Sequence, residues 1–425
     1  MRLAVLVLAS QAPRALAAIA RYFEPSDADL YVHVDAKTAL ADYLHYAGPL
    51  PPRVGFFEPP HRVYWAGFSM IEATLDLLRV AIREGPYERY LFISDNSLPV
   101  QSLDGLFAGL AQREDLIVCR RPPSGHPVLA RYDQFHLMDG ESFDSRRNWA
   151  SPPPLGKDEF DQIERVLALK RRGKRPFVMY HGQASWALSH DSVRRALDAV
   201  DHDPWLRESF RFSAHTDEFF FQSLVGAAKY PQGLDDGPTY SDSCRLAPRV
   251  IRTARDLPLD MHANFLFLRK IAPDFDEALP ETCLRLYAGL RQMLAKDLAV
   301  RHERLIGLAE GDARHLHLMA PIEDDPSWGG VENLWGRRYR RLRGESVVWR
   351  LRAPAAWPAV RLSLPCVIGA ALPPDAVFEI DGRRVALEET TIGFGAQFRD
   401  LAQPFETITL HAPASGLAVA VLPQA

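Results

Sequence analysis

Leu3-Ala4-Val5-Leu6-Val7-Leu8 places six apolar residues in a row. A strand with one wet face alternates apolar and polar residues. An unbroken run reads instead as a strand buried on both faces, as in sheets covered by helices on each side. The flanking sequence agrees. Residues 14–23 carry Leu16, Ile19 and Phe23 at spacings that bring them to one side of a helix. Residues 30–34 read as a second strand, closed by Asp35, and residues 54–57 as a shorter third. In residues 70–83, Ile71, Leu75, Leu78 and Ile82 repeat at the helical period. Residues 90–94 and 116–119 read as further strands. Alternating strands and helices predict an α/β fold, a Rossmann-type parallel or mixed sheet with helices on both faces. Ligands of such sheets lie beyond the carboxyl ends of the strands, which gathers Ala9, Ser10, Asp35, Asp95 and Ser97 near one crevice.

Further along, residues 121–157 are rich in Pro, Arg and Gly and lack periodicity. They predict a long surface connection, and connections of that length are often functional. Residues 177–180 and 184–188 read as short strands, 191–200 and 218–228 as helices, and 282–308 as the longest helix. After about residue 346 the pattern becomes strand-like, over 347–351, 359–364, 376–380, 384–387, 407–411 and 417–422. Asp381-Gly382 is a hairpin signal. The expected organisation is an α/β domain over 1–316, a linker over 317–345 and a small β-sandwich-like domain over 346–425.

A chain of 425 residues exceeds what one hydrophobic core serves. Its 47% hydrophobic and 24% charged residues exclude disordered and fibrous classes. A net charge of -4 gives no reason to expect a nucleic acid partner. Cys119, Cys244, Cys283 and Cys366 lie far apart without a CxxC pair, so buried thiols in a reducing compartment are expected, not disulfides or zinc. The apolar run after Arg2 is short and ends at Gln11, Pro13 and Arg14, which favours a buried strand over a signal peptide. No stretch approaches the ~18 apolar residues of a membrane span. The expected location is cytoplasmic, with the inner face of the membrane as the alternative. The basic run Arg337-Arg338-Tyr339-Arg340-Arg341-Leu342-Arg343 reads as a solvated linker or as a contact for anionic lipid, acidic glycan or another chain. The β domain is open to three readings: carbohydrate binding, homodimer formation and a structural appendage.

Three segments carry chemistry: His33-Val34-Asp35, Ser94-Asp95-Asn96-Ser97-Leu98-Pro99, and His215-Thr216-Asp217-Glu218-Phe219-Phe220-Phe221. Two readings of the last fit the residues alone. Aromatic neighbours can desolvate a carboxylate and make it a better base near neutrality. Equally, Thr216 or Asp217 can cap a helix, with Glu218 in its first turn and the phenylalanines packed inward. Trp65 and Trp186 are likewise open to two readings, as walls of a sugar cleft and as core anchors.

The ordered motifs bear on that choice. Leu30-Tyr31-Val32-His33-Val34-Asp35-Ala36-Lys37, Val63-Tyr64-Trp65-Ala66-Gly67-Phe68-Ser69, Tyr90-Leu91-Phe92-Ile93-Ser94-Asp95-Asn96-Ser97-Leu98-Pro99-Val100, Gly182-Gln183-Ala184-Ser185-Trp186-Ala187-Leu188-Ser189, Thr216-Asp217-Glu218-Phe219-Phe220-Phe221-Gln222 and Phe265-Leu266-Phe267-Leu268-Arg269-Lys270 occur in that order. Together they resemble the core-2/I-branching β-1,6-N-acetylglucosaminyltransferase and peptide O-xylosyltransferase family, in its bacterial form, over about two thirds of the chain. The resemblance implies a GT-A-like domain and an inverting, metal-independent glycosyltransferase. The expected donor is a UDP-sugar carrying N-acetylglucosamine, xylose or a similar unit. No cofactor is expected. The acceptor would be a hydroxyl of a glycan, polysaccharide or lipid-linked molecule, as in polysaccharide biosynthesis. By resemblance Glu218 is the base, and Lys270 with Arg269 meets the diphosphate charge. A second basic residue is expected at Arg249 or Arg245, with Arg252 also in range. Ala9, Ser10, Asp35 and Trp65 are expected on the donor and nucleotide side. Asp95, Ser97, Trp186 and Asp217 are expected toward the acceptor or sugar cleft.

Ser10 stands where the family often has His, and Ser97 where it has Asp. These departures motivate a second reading, a non-catalytic nucleotide- or glycan-binding member on the same scaffold. A third is a metal-dependent GT-A enzyme using Asp95.

Overall fold

In a computed structural model of the chain, residues 1–47, 53–133, 136, 138–140, 177–241, 250–258, 265–295, 305–310, 313–320, 325–334, 337–365, 375–390, 393–401, 404–412 and 417–421 are described. The opening apolar run forms β1 (Leu3–Ala9), buried along nearly its whole length, with side chains that alternate between two cores. Ala4 and Leu6 enter one core, while Leu3, Val5, Val7 and Ala9 enter the other. Next come α1 (Pro13–Phe23), β2 (Asp29–Val34), α2 (Leu40–Ala47), β3 (Val54–Phe56), α3 (Ser69–Glu84) and β4 (Arg89–Ser94). After them follow β5 (Leu98–Pro99), α4 (Leu103–Ala111), β6 (Ile117–Cys119) and β7 (Trp186–Ser189).

The main sheet has the order β3-β2-β1-β4-β7. Its first four strands run parallel, and β7 is antiparallel to β4. Ile71, Leu75 and Leu78 of α3 pack on one face, as the helical period predicts, together with Val193, Phe220 and Phe221 from the helices His190–His202 and Phe220–Lys229. Leu16, Ile19 and Phe23 of α1, Tyr43 of α2 and Leu106 of α4 cover the other face. Both faces are therefore dry, which is why β1 has no polar alternation. The chain runs from β1 to β2 on one side and reaches β4 on the other. The carboxyl ends of β1 and β4 therefore form the switch point where such folds bind ligands.

One compact unit contains residues 1–239 and 266–274; the other contains residues 240–265 and 275–425. Among the described residues, the second unit holds the helix Leu279–Ala295 and three β-sheets. Its core includes Trp349, Leu362, Phe378, Phe398 and Leu410. In the hairpin Val377–Ile380 to Arg383–Ala386, Asp381 (φ 51°) and Gly382 (φ 77°) both take positive φ, as the Asp-Gly signal requires.

Several expectations are corrected. The expected helix over 282–308 is observed over Leu279–Ala295, and Leu305–Glu310 is a strand paired with Ala313–Leu318. The segment 317–345 is no simple linker. Trp328–Leu334 and Arg337–Leu342 form an antiparallel pair, and the basic run is one of those strands. Its charge is deceptive. Tyr339, Arg340 and Leu342 are buried, and Arg340 Nε donates to the Gly329 carbonyl at 2.7 Å, while Arg341 pairs with Glu332 outside. Residues 177–180 carry no strand, and residues 141–176 of the long connection lie outside the described residues. Cys119 and Cys283 are buried free thiols, while Cys244 and Cys366 lie outside the described residues.

Candidate active site

Glu218 closes a tight 3-10 turn, Thr216–Glu218, and the α-helix begins only at Phe220. Glu218 is therefore not a first-turn carboxylate of that helix. Its three aromatic followers do pack inward: Phe219, Phe220 and Phe221 are buried, with Phe220 against Phe68 and Phe210. The inward packing of the phenylalanines is as expected. The phenylalanines anchor the core, and the anchoring leaves Glu218 at the rim.

The turn is fixed from several sides. His215 N–H donates to the Ala66 carbonyl (2.8 Å), and Thr216 Oγ1 to that of Gly67 (2.7 Å). Gly182 N–H donates to the Glu218 carbonyl (2.8 Å), and Gln222 Nε2 donates to the Asp217 and Gln183 carbonyls. Two glycines permit this. A Cβ on Gly182 would lie 1.5 Å from the Val118 carbonyl oxygen, and one on Gly67 would lie 2.0 Å from Asp139 Oδ1. The motif glycines are thus sites of close approach.

Glu218 Oε2 accepts from Arg131 Nη1 at 2.7 Å. The Glu218 side chain remains 35% exposed, enough to meet a substrate. Burial, reinforced by the charge of Asp217, pushes its carboxyl up to about 7, against the opposing pull of Arg131 and Arg269. Asp217 is also raised by burial, and among the described residues its Oδ1 has no hydrogen-bond partner. Arg269 and Lys270 are both lowered, chiefly by burial, while the charges of Asp217 and Glu218 act to raise them. Two acids and two cations therefore share one poorly solvated neighbourhood. His215 and His181 are pushed down to about 4, mainly by burial, and stay neutral near pH 7. Trp65 is 51% exposed and meets the His215 ring edge-on at 4.8 Å.

The other expected residues separate. Asp95 is 2% exposed, and its Oδ2 accepts from the backbone N–H groups of Ser10, Gln11 and Ala12 (2.9, 2.9 and 2.8 Å) and from the Tyr43 hydroxyl. It ties the β1–α1 turn to β4, and its charge also acts on Arg269. Its four donors occupy the oxygen. Trp186 is fully buried between Phe92 and Phe221 (ring centroids 5.2 and 5.0 Å) and is a core anchor, not a cleft wall. Ser97 is likewise buried, near Ser94. Asp35 is buried and bound by Lys37: Nζ lies 3.1 Å from Oδ2, and the Lys37 and Val63 backbone N–H groups donate to Oδ1. It joins the β2 end to the loop leading to Trp65. Ala9 and Ser10 sit at the β1 end, as expected. Arg245 and Arg249 lie outside the described residues.

Two residues were not anticipated, Arg131 and Asp139. Asp139 accepts from Phe68 N–H (2.9 Å), Ser69 N–H (3.1 Å) and Ser69 Oγ (2.6 Å), capping the start of α3. Both belong to the aperiodic connection whose length alone signalled function. Among the described residues, no group of three or more His, Cys, Asp or Glu side chains is arranged to hold a metal ion. Among them also, no helix is long and apolar enough to cross a membrane.

No curated protein matches the chain. Residues 4–240, more than half of it, match the family model described as Core-2/I-Branching enzyme. That span includes β2 to β4 and all of β1 but Leu3, with the Trp65 loop, Arg131 and the Asp217-Glu218 turn. The chain belongs to the Core-2/I-branching enzyme family, a family of glycosyltransferases with a GT-A-like fold.

Proposed function

We propose that the protein is an inverting glycosyltransferase that moves a sugar from a UDP-sugar to a hydroxyl of a glycan, polysaccharide or lipid-linked acceptor, with no metal ion required. The observation that carries this reading is the nearness of an accessible carboxyl poised near 7, Glu218, to the partly buried cations Arg269 and Lys270. In the proposed step Glu218 takes the proton of the acceptor hydroxyl. The acceptor oxygen forms its bond to the anomeric carbon from the face opposite the leaving group. The bond from that carbon to the diphosphate oxygen breaks, and UDP departs with the electron pair. Lys270 and Arg269 meet the negative charge that develops on the diphosphate.

Support for a metal-free site comes from this cationic pair and from the occupied oxygen of Asp95. We place the nucleoside by the ends of β1 and β2, near Ala9, Ser10 and Asp35, and the transferred sugar near Trp65. A donor carrying N-acetylglucosamine or xylose and a cytoplasmic setting belong to the same proposal. Calorimetric titration with UDP tests it. The expected affinity is the same with manganese and with chelator. Lys270→Ala is expected to weaken it by about tenfold or more, the loss of one charge-assisted contact. Binding that requires manganese would overturn the metal-free reading, and unchanged affinity in Lys270→Ala would misplace the diphosphate.

A further inference from the structure

Arg131 comes from the helix Ala130–Asp133, far from Glu218 in sequence, yet among the described residues it makes the closest ionic contact to the proposed base. Its position is fixed by backbone. Ala214 N–H donates to the Arg131 carbonyl at 2.8 Å, and His136 N–H donates to the Phe212 carbonyl at 2.7 Å. Arg131 and His136 are thus tied to residues 212–214, immediately before the turn that carries Glu218. The guanidinium takes a single oxygen of Glu218, Oε2. Both side chains keep solvent access, 40% for Arg131 and 35% for Glu218.

We infer that Arg131 is a positioning residue for the base: it fixes the Glu218 carboxylate through Oε2, favours its ionised form, and leaves Oε1 to take the acceptor proton. The inference rests on the proposed reading of Glu218 as the base. A carboxylate needs such a partner here. Asp217 lies beside it in the same turn and repels its charge. Arg269 and Lys270 face it from the Phe267–Arg269 strand and the residue after it, but their charge is shared with Asp217. His215 of the preceding loop and His181 of the neighbouring one are neutral and contribute no countercharge near pH 7. Among the described residues Arg131 is the cation bonded directly to the carboxylate, and a guanidinium does not lose its proton in this range.

The test uses the full chain with glutamate carboxyls labelled with carbon-13. The Glu218 resonance is identified by its loss in Glu218→Gln, then followed against pH in the parent, Arg131→Met and Arg131→Lys. The expected midpoint rises by about one pH unit in Arg131→Met, a tenfold change in proton affinity, and returns most of the way in Arg131→Lys. UDP release from UDP-N-acetylglucosamine and UDP-xylose is measured on the same proteins, and its acid limb is expected to move up with the midpoint. A midpoint in Arg131→Met that stays within about 0.2 unit of the parent, or falls, would overturn the inference. If that happens while Glu218→Gln is inactive, the base assignment survives and the role of Arg131 does not. If the midpoint moves as expected while Glu218→Gln keeps the parent's rate, the ion pair stands and the base assignment fails.

Discussion

His215 and Ala66 both hold left-handed backbone (φ 54° and 64°), and the His215 N–H donates to the Ala66 carbonyl at 2.8 Å. Neither is glycine, so both conformations carry strain. The hydrogen bond joins the loop that presents Trp65 to the loop that presents Glu218. Strain is tolerated because each loop holds the other: Thr216 Oγ1 bonds the Gly67 carbonyl, and the Trp65 ring meets His215. Trp65 and Glu218 are thereby set at a fixed relation.

Substitution at Ala66 reads that strain. A β-branched residue with positive φ is a far worse fit than alanine, whereas glycine adopts it freely. Ala66→Val is expected to lower the free energy of unfolding by about 1–3 kcal/mol. Ala66→Gly is expected to stay within about 1 kcal/mol of the parent. Urea denaturation measures both. Equal stability of the two variants would show that the backbone at this position is relaxed.

Gly67 and Asp139 supply a second test. Asp139 caps α3 through two backbone N–H groups and Ser69 Oγ, in the space a Cβ on Gly67 would enter. Asp139→Ala is expected to cost about 1–3 kcal/mol through the lost cap. Gly67→Ala is expected to cost as much, because it displaces the same carboxylate. The double variant should then fall well short of the sum, the signature of one shared interaction. Additive losses would mean that glycine and carboxylate act separately.

The pH dependence of stability has a definite sign at Glu218. Its carboxyl is raised from 4.5 to about 7 in the folded protein. Between those values the folded state binds more protons than the unfolded state, so stability falls as pH rises through 7. The ionised carboxylate is therefore a burden on folding above pH 7 and none below about pH 4.5. Glu218→Gln is expected to gain melting temperature over the parent at pH 8 and to lose that advantage at pH 4. Solvent access to the side chain keeps the effect modest. A difference in melting temperature that is the same at both pH values would contradict the shift.

Much of this was legible in the sequence, for physical reasons. A strand dry on both faces must be apolar throughout, and Leu3–Ala9 is. A helix covering a sheet must repeat every three to four residues, and Ile71, Leu75 and Leu78 do. Glu218 and Lys270, the proposed base and diphosphate partner, stand out in the sequence because they sit in short motifs. Arg131 and Asp139 do not, because they act through distant backbone from a stretch without periodicity. Asp95 stands out equally, and its backbone partners do not show in the sequence. A carboxylate at a strand end looks the same in sequence whether it faces a ligand or three N–H groups of its own chain. Trp186 shows the same degeneracy, and burial between Phe92 and Phe221 resolved it. In the second unit, the strand Arg337–Leu342 was hidden by its arginines. A buried arginine bonded to a carbonyl, as Arg340 is, reads in sequence like a solvated one.

In the proposed step Glu218 removes the acceptor proton. Glu218→Gln preserves size and the Arg131 contact surface while removing the base. Transfer or UDP release should fall by about 100- to 10,000-fold, the usual contribution of a positioned base. Calorimetric UDP affinity, measured on the same protein, should stay within about threefold of the parent, since binding and proton removal are separate tasks. Retention of the parent's rate in Glu218→Gln with unchanged UDP binding would contradict the account.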